Sequence, residues 1–275
     1  MMNKIMNRLH NARGFSLLEV LIALTLTGVI TAAILQAYIT QHKNYMVQDD
    51  ITAVQQSARA AIDEIGRHVR MAGNELPSGV DALVPVNSNP DSLMIRYRVD
   101  NCEATIDTTM ASANADIVCD GPITCFHADE MAYIFHPDSG GGEWFWITAV
   151  DTINKRISHT SAPLSKAYDD GAVVITMEQI LFYVDTLSNP DHPLLMMQLP
   201  GQTAQIYADN VDDLQFRYRL QNGSIVDDPL LIEDVREVLI SVTGRSENPD
   251  SDADQDDPYR RRTYASAVHL RNIGL

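Results

Sequence analysis

Gly14-Phe15-Ser16-Leu17-Leu18-Glu19-Val20 opens a stretch that stays apolar to Leu35, and its reading decides the rest of the chain. Between Leu17 and Leu35 only Glu19, Thr25, Thr27, Gly28 and Thr31 interrupt the run, which at roughly 20 helical residues is long enough to cross a bilayer. Lys4, Arg8 and Arg13 precede it and no cation follows at once, which predicts a cytoplasmic N-terminus and an exported body. A cleaved secretory signal is the competing expectation. It fits poorly, because Thr31-Ala32-Ala33, the nearest small-residue site, is embedded in further apolar residues.

Glu19 is the anomaly. A carboxylate at the centre of a membrane helix costs about 2.5 to 3.5 kcal/mol on insertion scales, and less near an edge. Cleavage after Gly14 would free an amino group on Phe15, four residues away. In a staggered array of helices, one chain's Phe15 amine could then neutralise another chain's Glu19, making the acid a register device for assembly.

These residues resemble the signal of type IV pilins and pseudopilins: a short basic leader, then Gly14-Phe15-Ser16-Leu17-Leu18-Glu19, then an apolar helix. The resemblance implies cleavage between Gly14 and Phe15 by a prepilin peptidase, N-methylation of Phe15, and Glu19 as the assembly carboxylate. The implied partners are that peptidase, other minor and major pilins, and the inner-membrane assembly platform. The implied location is the inner membrane in a single pass, then a filament in the periplasm or outside the cell. Many major pilins carry a proline within this helix. None is present here, so no proline kink is expected.

Beyond Ile39 the chain turns polar without a helix breaker. Val47, Ile51, Val54, Ala58, Ile62, Ile65 and Val69 recur at steps of three and four, on one helical face. Gly73-Asn74 supplies a left-handed stop. One helix is therefore expected from about Ser16 to Ala72, its second half packed under a sheet of the same chain rather than in a free coiled coil. After Pro77 the period changes to two. Strands are expected at 93–99, 131–135, 144–148, 172–176, 180–184, 214–219, 238–242 and 265–270, with turns at 139–142, 169–171 and 222–223. The expected fold is α+β and pilin-like: a basic leader at 1–14, a membrane and assembly helix at 15–39, its amphipathic continuation at 40–73, and a mainly antiparallel β-rich head at 74–275.

Arg70-Met71-Ala72-Gly73, Asn210 to Tyr218, and Val268-His269-Leu270-Arg271-Asn272 are similar to the W-type minor pilins, PilW, of type IV pilus systems. That likeness implies a low-copy subunit priming assembly at or near the tip. The J-type minor pseudopilins of type II secretion share the Val-x-x-Leu-x-Phe-x-Tyr pattern and are the alternative.

Chemistry elsewhere is sparse. The formal charge of −17 argues against nucleic acid as a partner. Of three cysteines, Cys119 and Cys125 flank the turn Asp120-Gly121-Pro122 and could bridge, while Cys102 could pair with either. Asp250, Asp252, Asp254 and Asp256 alternate like the start of a calcium loop. Gln255 then stands where glycine is needed and Arg261 where a bidentate glutamate is needed, so a solvated acidic loop balanced by Arg260, Arg261 and Arg262 is expected, with calcium the alternative and no cofactor or metal site assigned. Trp144 and Trp146 share one sheet face, with core packing expected ahead of an exposed docking pair. The histidines are scattered, and no hydrolase, phosphate-loop or haem motif occurs. The chain is expected to be a structural subunit, not an enzyme. A signal-anchored periplasmic binding module that never polymerises is the rival.

Overall fold

The computed structural model describes residues 15–99, 102–138, 141–159, 163–250 and 257–274. It divides into two compact units, one ending at Asp50 and the other running from Ile51. A single helix, α1, covers Leu17–Met71. No proline interrupts it, and Gly73, at φ +82°, provides the left-handed residue that ends it.

From Leu17 to Ile39 the helix is apolar nearly all round. An 18-residue window reaches a mean hydropathy of 2.2 with none of it buried in the protein. In the second unit it becomes two-faced. Val54, Ala58, Ala61, Ile62, Ile65 and Val69 are buried along one stripe, and most of them join the principal core. The stripe packs under a sheet, as the amphipathic spacing predicts. It is wider than expected, since Ala61, Gly66 and His68 are buried too. Gly66 is a contact point: a Cβ there would lie 3.3 Å from Val268.

Among the described residues fifteen strands follow: β1 Leu83–Val86, β2 Ser92–Tyr97, β3 Glu103–Thr105, β4 Ile117–Val118, β5 Met131–Phe135, β6 Gly142–Asp151, β7 Arg156–His159, β8 Val173–Thr176, β9 Glu178–Asp185, β10 Leu194–Gln198, β11 Gln205–Asp209, β12 Val211–Leu220, β13 Ile225–Val226, β14 Val235–Arg245 and β15 Arg261–His269. They form three sheets of order β1-β2-β9-β10-β11, β13-β12-β14-β15 and β3-β8-β5-β6-β7-β4. Every ladder among the described residues is antiparallel. The chain is thus α+β, with one long N-terminal helix and antiparallel sheets.

The first two sheets and the buried stripe of α1 share one core, centred on Phe182, Phe216, Leu83 and Ile65. The third sheet has its own core around Ile106, Ile134 and Ile147. The alternation in β2, β12 and β14 is visible in their burial. The spacing Val211-x-x-Leu214-x-Phe216-x-Tyr218 has a geometric origin. All four side chains are buried, and a bulge between Val211 and Asp213 adds the extra residue that turns a period of two into three.

Candidate functional site

Ser16 sets the start of α1. Its carbonyl accepts the Val20 N–H at 3.1 Å, and its hydroxyl accepts the Glu19 N–H at 3.4 Å. Ser16 is therefore the N-cap and Glu19 the third helical residue, half of a capping box. A carboxylate in this first turn also lies where the helix dipole favours negative charge. Sequence reading singled out Glu19 for its charge and missed Ser16, although Ser-x-x-Glu was there to be read. Phe15 is 82% exposed just before the cap. Gly14 lies outside the described residues.

The rest of the apolar stretch removes its own polarity. Thr25 donates its hydroxyl to the Ile22 carbonyl at 2.9 Å, Thr27 to Ala23 at 2.7 Å, Thr31 to Thr27 at 2.7 Å and Thr40 to Gln36 at 3.0 Å. Each hydroxyl is satisfied inside the helix, so lipid imposes little cost on it. Between Phe15 and Ile39, Glu19 is the one carboxylate, and no lysine, arginine or histidine accompanies it. No ion-pair partner for it occurs among the described residues.

Residues 9–35 match the prokaryotic N-terminal methylation motif. Neither the curated proteins nor the solved structures yield a match to this chain. The chain thus carries a type IV pilin-like signal on a helix apolar enough for membrane anchoring. The signal implies processing by prepilin peptidase, handling by pilin assembly machinery, and a structural subunit rather than an enzyme.

The cysteine pairing across the 120–122 turn is corrected. The bridge joins Cys102 to Cys125, with Cα atoms 5.6 Å apart, and Cys119 is the buried free thiol. Cys119 is held away by backbone pairing: it bridges Ile106 and donates its N–H to the Lys155 carbonyl. Burial pushes its thiol up to about 11, so it is a packing residue.

Of the alternating aspartates, Asp250 is buried and bonded to Arg260 at 2.5 Å. Its carboxylate already has a cation. Asp252, Asp254 and Asp256 lie outside the described residues. Trp144 and Trp146 are half-buried. Trp144 packs on Tyr133, with ring centroids 4.9 Å apart, beneath the Arg96 guanidinium. The Trp146 ring covers Gly201, where a Cβ would stand 2.5 Å from it. Phe145 points into the other core.

A titratable cluster near the end of α1 went unpredicted. His68, 5% exposed, places Nδ1 2.7 Å from the Tyr97 hydroxyl and Nε2 3.0 Å from Glu64. Arg67 bonds the same Glu64 carboxylate. Burial lowers the His68 pKa despite Glu64. The Arg67 hydrogen bond holds Glu64 below its usual range, and burial pushes Tyr97 up to about 12. Asn272 was also missed as a residue with a job. Its side-chain amide reaches the Met71 and Ala72 carbonyls, both at 3.4 Å, tying the C-terminal segment to the end of α1.

Proposed function

We propose that this chain is a W-type minor pilin, incorporated at low copy into a type IV pilus and helping to start assembly at or near its tip. The observation that carries the reading is the contrast inside the first unit. Every threonine hydroxyl from Thr25 to Thr40 is satisfied by its own helix, while Glu19 has no cation among the described residues. An acid retained in a lipid-facing helix implies a counter-charge supplied from outside the chain. The processed Phe15 amine of a neighbouring subunit is the group that the methylation motif makes available.

On this reading the precursor crosses the inner membrane once, with residues 1–14 in the cytoplasm and the head in the periplasm. Prepilin peptidase cuts between Gly14 and Phe15, and Phe15 is methylated. Apolar helices then bundle inside the filament, where Glu19 meets the new terminus of another minor or major pilin at the assembly platform. A large acidic head is awkward to repeat along a shaft, which favours a position at the end. The Val211-to-Tyr218 pattern is accounted for by core alternation and one bulge, so it supports the shared fold of pilins and pseudopilins and does not separate them.

Intact-mass measurement of the protein extracted from its native membrane is the test. A mature chain beginning at N-methyl-Phe15 is expected; an unprocessed mass would refute the reading in favour of a signal-anchored module. Deletion of the gene then separates the two assemblies: loss of surface fibres identifies a pilus subunit, and loss of exported enzymes a J-type pseudopilin.

A further inference from the structure

At the end of the head where α1 stops lies an open groove of about 560 Å³. It is lined by the segment after the helix, with Leu76 and Val80, by the outer strand β1, with Val84, by residues 272–274 and by the loop 228–233. That loop presents apolar side chains to solvent: Leu230 is 98% exposed and Leu231 54%. Isolated exposed leucines are common, but two in succession beside a groove form a patch.

The patch is held out by bonding. The Asp234 N–H donates to the Leu231 carbonyl, and the Gln221 N–H to the Asp234 carbonyl at 2.8 Å. Arg236 donates to the Glu233 carbonyl at 2.6 Å and to Gln221 Oε1 at 2.8 Å. Arg236 thus spends these bonds on backbone and amide oxygens. A loop ordered in advance loses little entropy when it binds.

Three carboxylates line the same groove: Asp81, Asp228 and Glu233. Each is exposed, and none is in an ion pair among the described residues. An apolar lining beside acids that make no ion pair calls for an occupant that is apolar and cationic together. A second copy does not fit that description. The three cations of residues 1–14 contribute +3 to the net −17, so the remainder carries −20 and repels itself.

We propose that this groove seats an extended segment of a different protein, in which lysine or arginine side chains flank bulky apolar ones. Leu230 and Leu231 would pack against the apolar side chains while Asp81, Asp228 and Glu233 meet the cations. This site is independent of the Glu19 reading, since it can be tested without any filament.

The full-length protein in detergent micelles is panned against a displayed library of random dodecapeptides, and the best binders are synthesised with a fluorescent label. Enrichment of peptides that combine Lys or Arg with Leu, Ile, Val or Phe is expected. Leu230→Ser should weaken them at least tenfold. The pair Asp228→Lys and Glu233→Lys should abolish their binding and select acidic peptides instead. All three positions are exposed, so unchanged melting temperatures verify that the variants fold. Absence of enrichment, or peptides that bind wild type and variants equally, would overturn the proposal. So would sedimentation showing a dimer that Leu230→Ser dissociates, because the occupant would then be a second copy.

Discussion

Glu19 and Glu64 lie on the same helix, and their surroundings differ in kind. Glu64, in the half of α1 that belongs to the head, is met by Arg67 three residues on and His68 four residues on. Glu19, in the apolar half, has no cation within helical reach and none elsewhere among the described residues. One acid is neutralised within its own chain by Arg67 at i,i+3, with His68 at i,i+4 adding a hydrogen bond. The other is left to something outside the described chain. The same α-helix thus meets two solvents: a β-sheet core covers one stripe of its second half, while its first half exposes apolar side chains on every side.

The sharpest way to break this contrast is at Glu19. Glu19→Ala should leave membrane insertion intact, and even favour it, yet reduce recovery of the subunit in sheared filaments tenfold or more. Normal incorporation of that variant, measured by immunoblot of the filament fraction against the membrane fraction, would remove the basis of the proposed function. Disturbing the other half should do the reverse. Ile65→Ala, at a fully buried position, is expected to cost about 2–5 kcal/mol of head stability by thermal or denaturant unfolding, with membrane insertion unchanged.

A smaller effect is expected from pH. His68 has its pKa lowered in the fold, so the unfolded chain binds the proton more readily. The stability held in the neutral imidazole is complete above the ordinary value near 6.5 and declines as pH falls below it. Glu64 loses its contribution later, as pH falls through its own lowered pKa. The melting temperature should therefore drop from pH 7 to pH 5, and His68→Gln should flatten that slope while leaving a decline below it from Glu64. An unaltered slope in the variant would remove His68 from this account.

The smallest change concerns Tyr218. It is fully buried in the shared core, and its hydroxyl has no hydrogen-bond partner among the described residues. Removing an unsatisfied buried hydroxyl while keeping the ring should leave stability unchanged or raise it by about 1 kcal/mol. A loss of 2 kcal/mol or more in Tyr218→Phe would show that the hydroxyl is bonded in solution.

Wherever one periodicity governed a segment, it was legible. The long helix, its termination at Gly73 and the strands with β-branched or aromatic alternation all occur as read, because local sterics and burial of one face agree there. Most strands that escaped notice are short, as in β3, β4 and β13, or lack β-branched residues, as in β10 with Leu194-Leu195-Met196-Met197-Gln198; β11 is the exception, missed although it carries Ile206 and Tyr207. Such segments acquire strand geometry from the neighbour that pairs with them. The cysteines show the same limit. A turn between Cys119 and Cys125 suggested proximity, but the pairing of Cys119 with Ile106 buried its side chain elsewhere.

The linear order of residues alone placed a basic leader, a lone acid and an unbroken apolar run next to one another, and with them the methylation motif at residues 9–35. Charge, hydropathy and helical spacing are properties of neighbours along the chain, so no folding is needed to see them. Tertiary structure alone decided that the head builds three sheets on two main cores, that Cys102 reaches Cys125, that Asn272 ties the chain's end to α1, and that a braced loop holds two leucines and a pair of acids over a groove. Those arrangements depend on which distant surfaces exclude water together, a quantity that no local pattern carries.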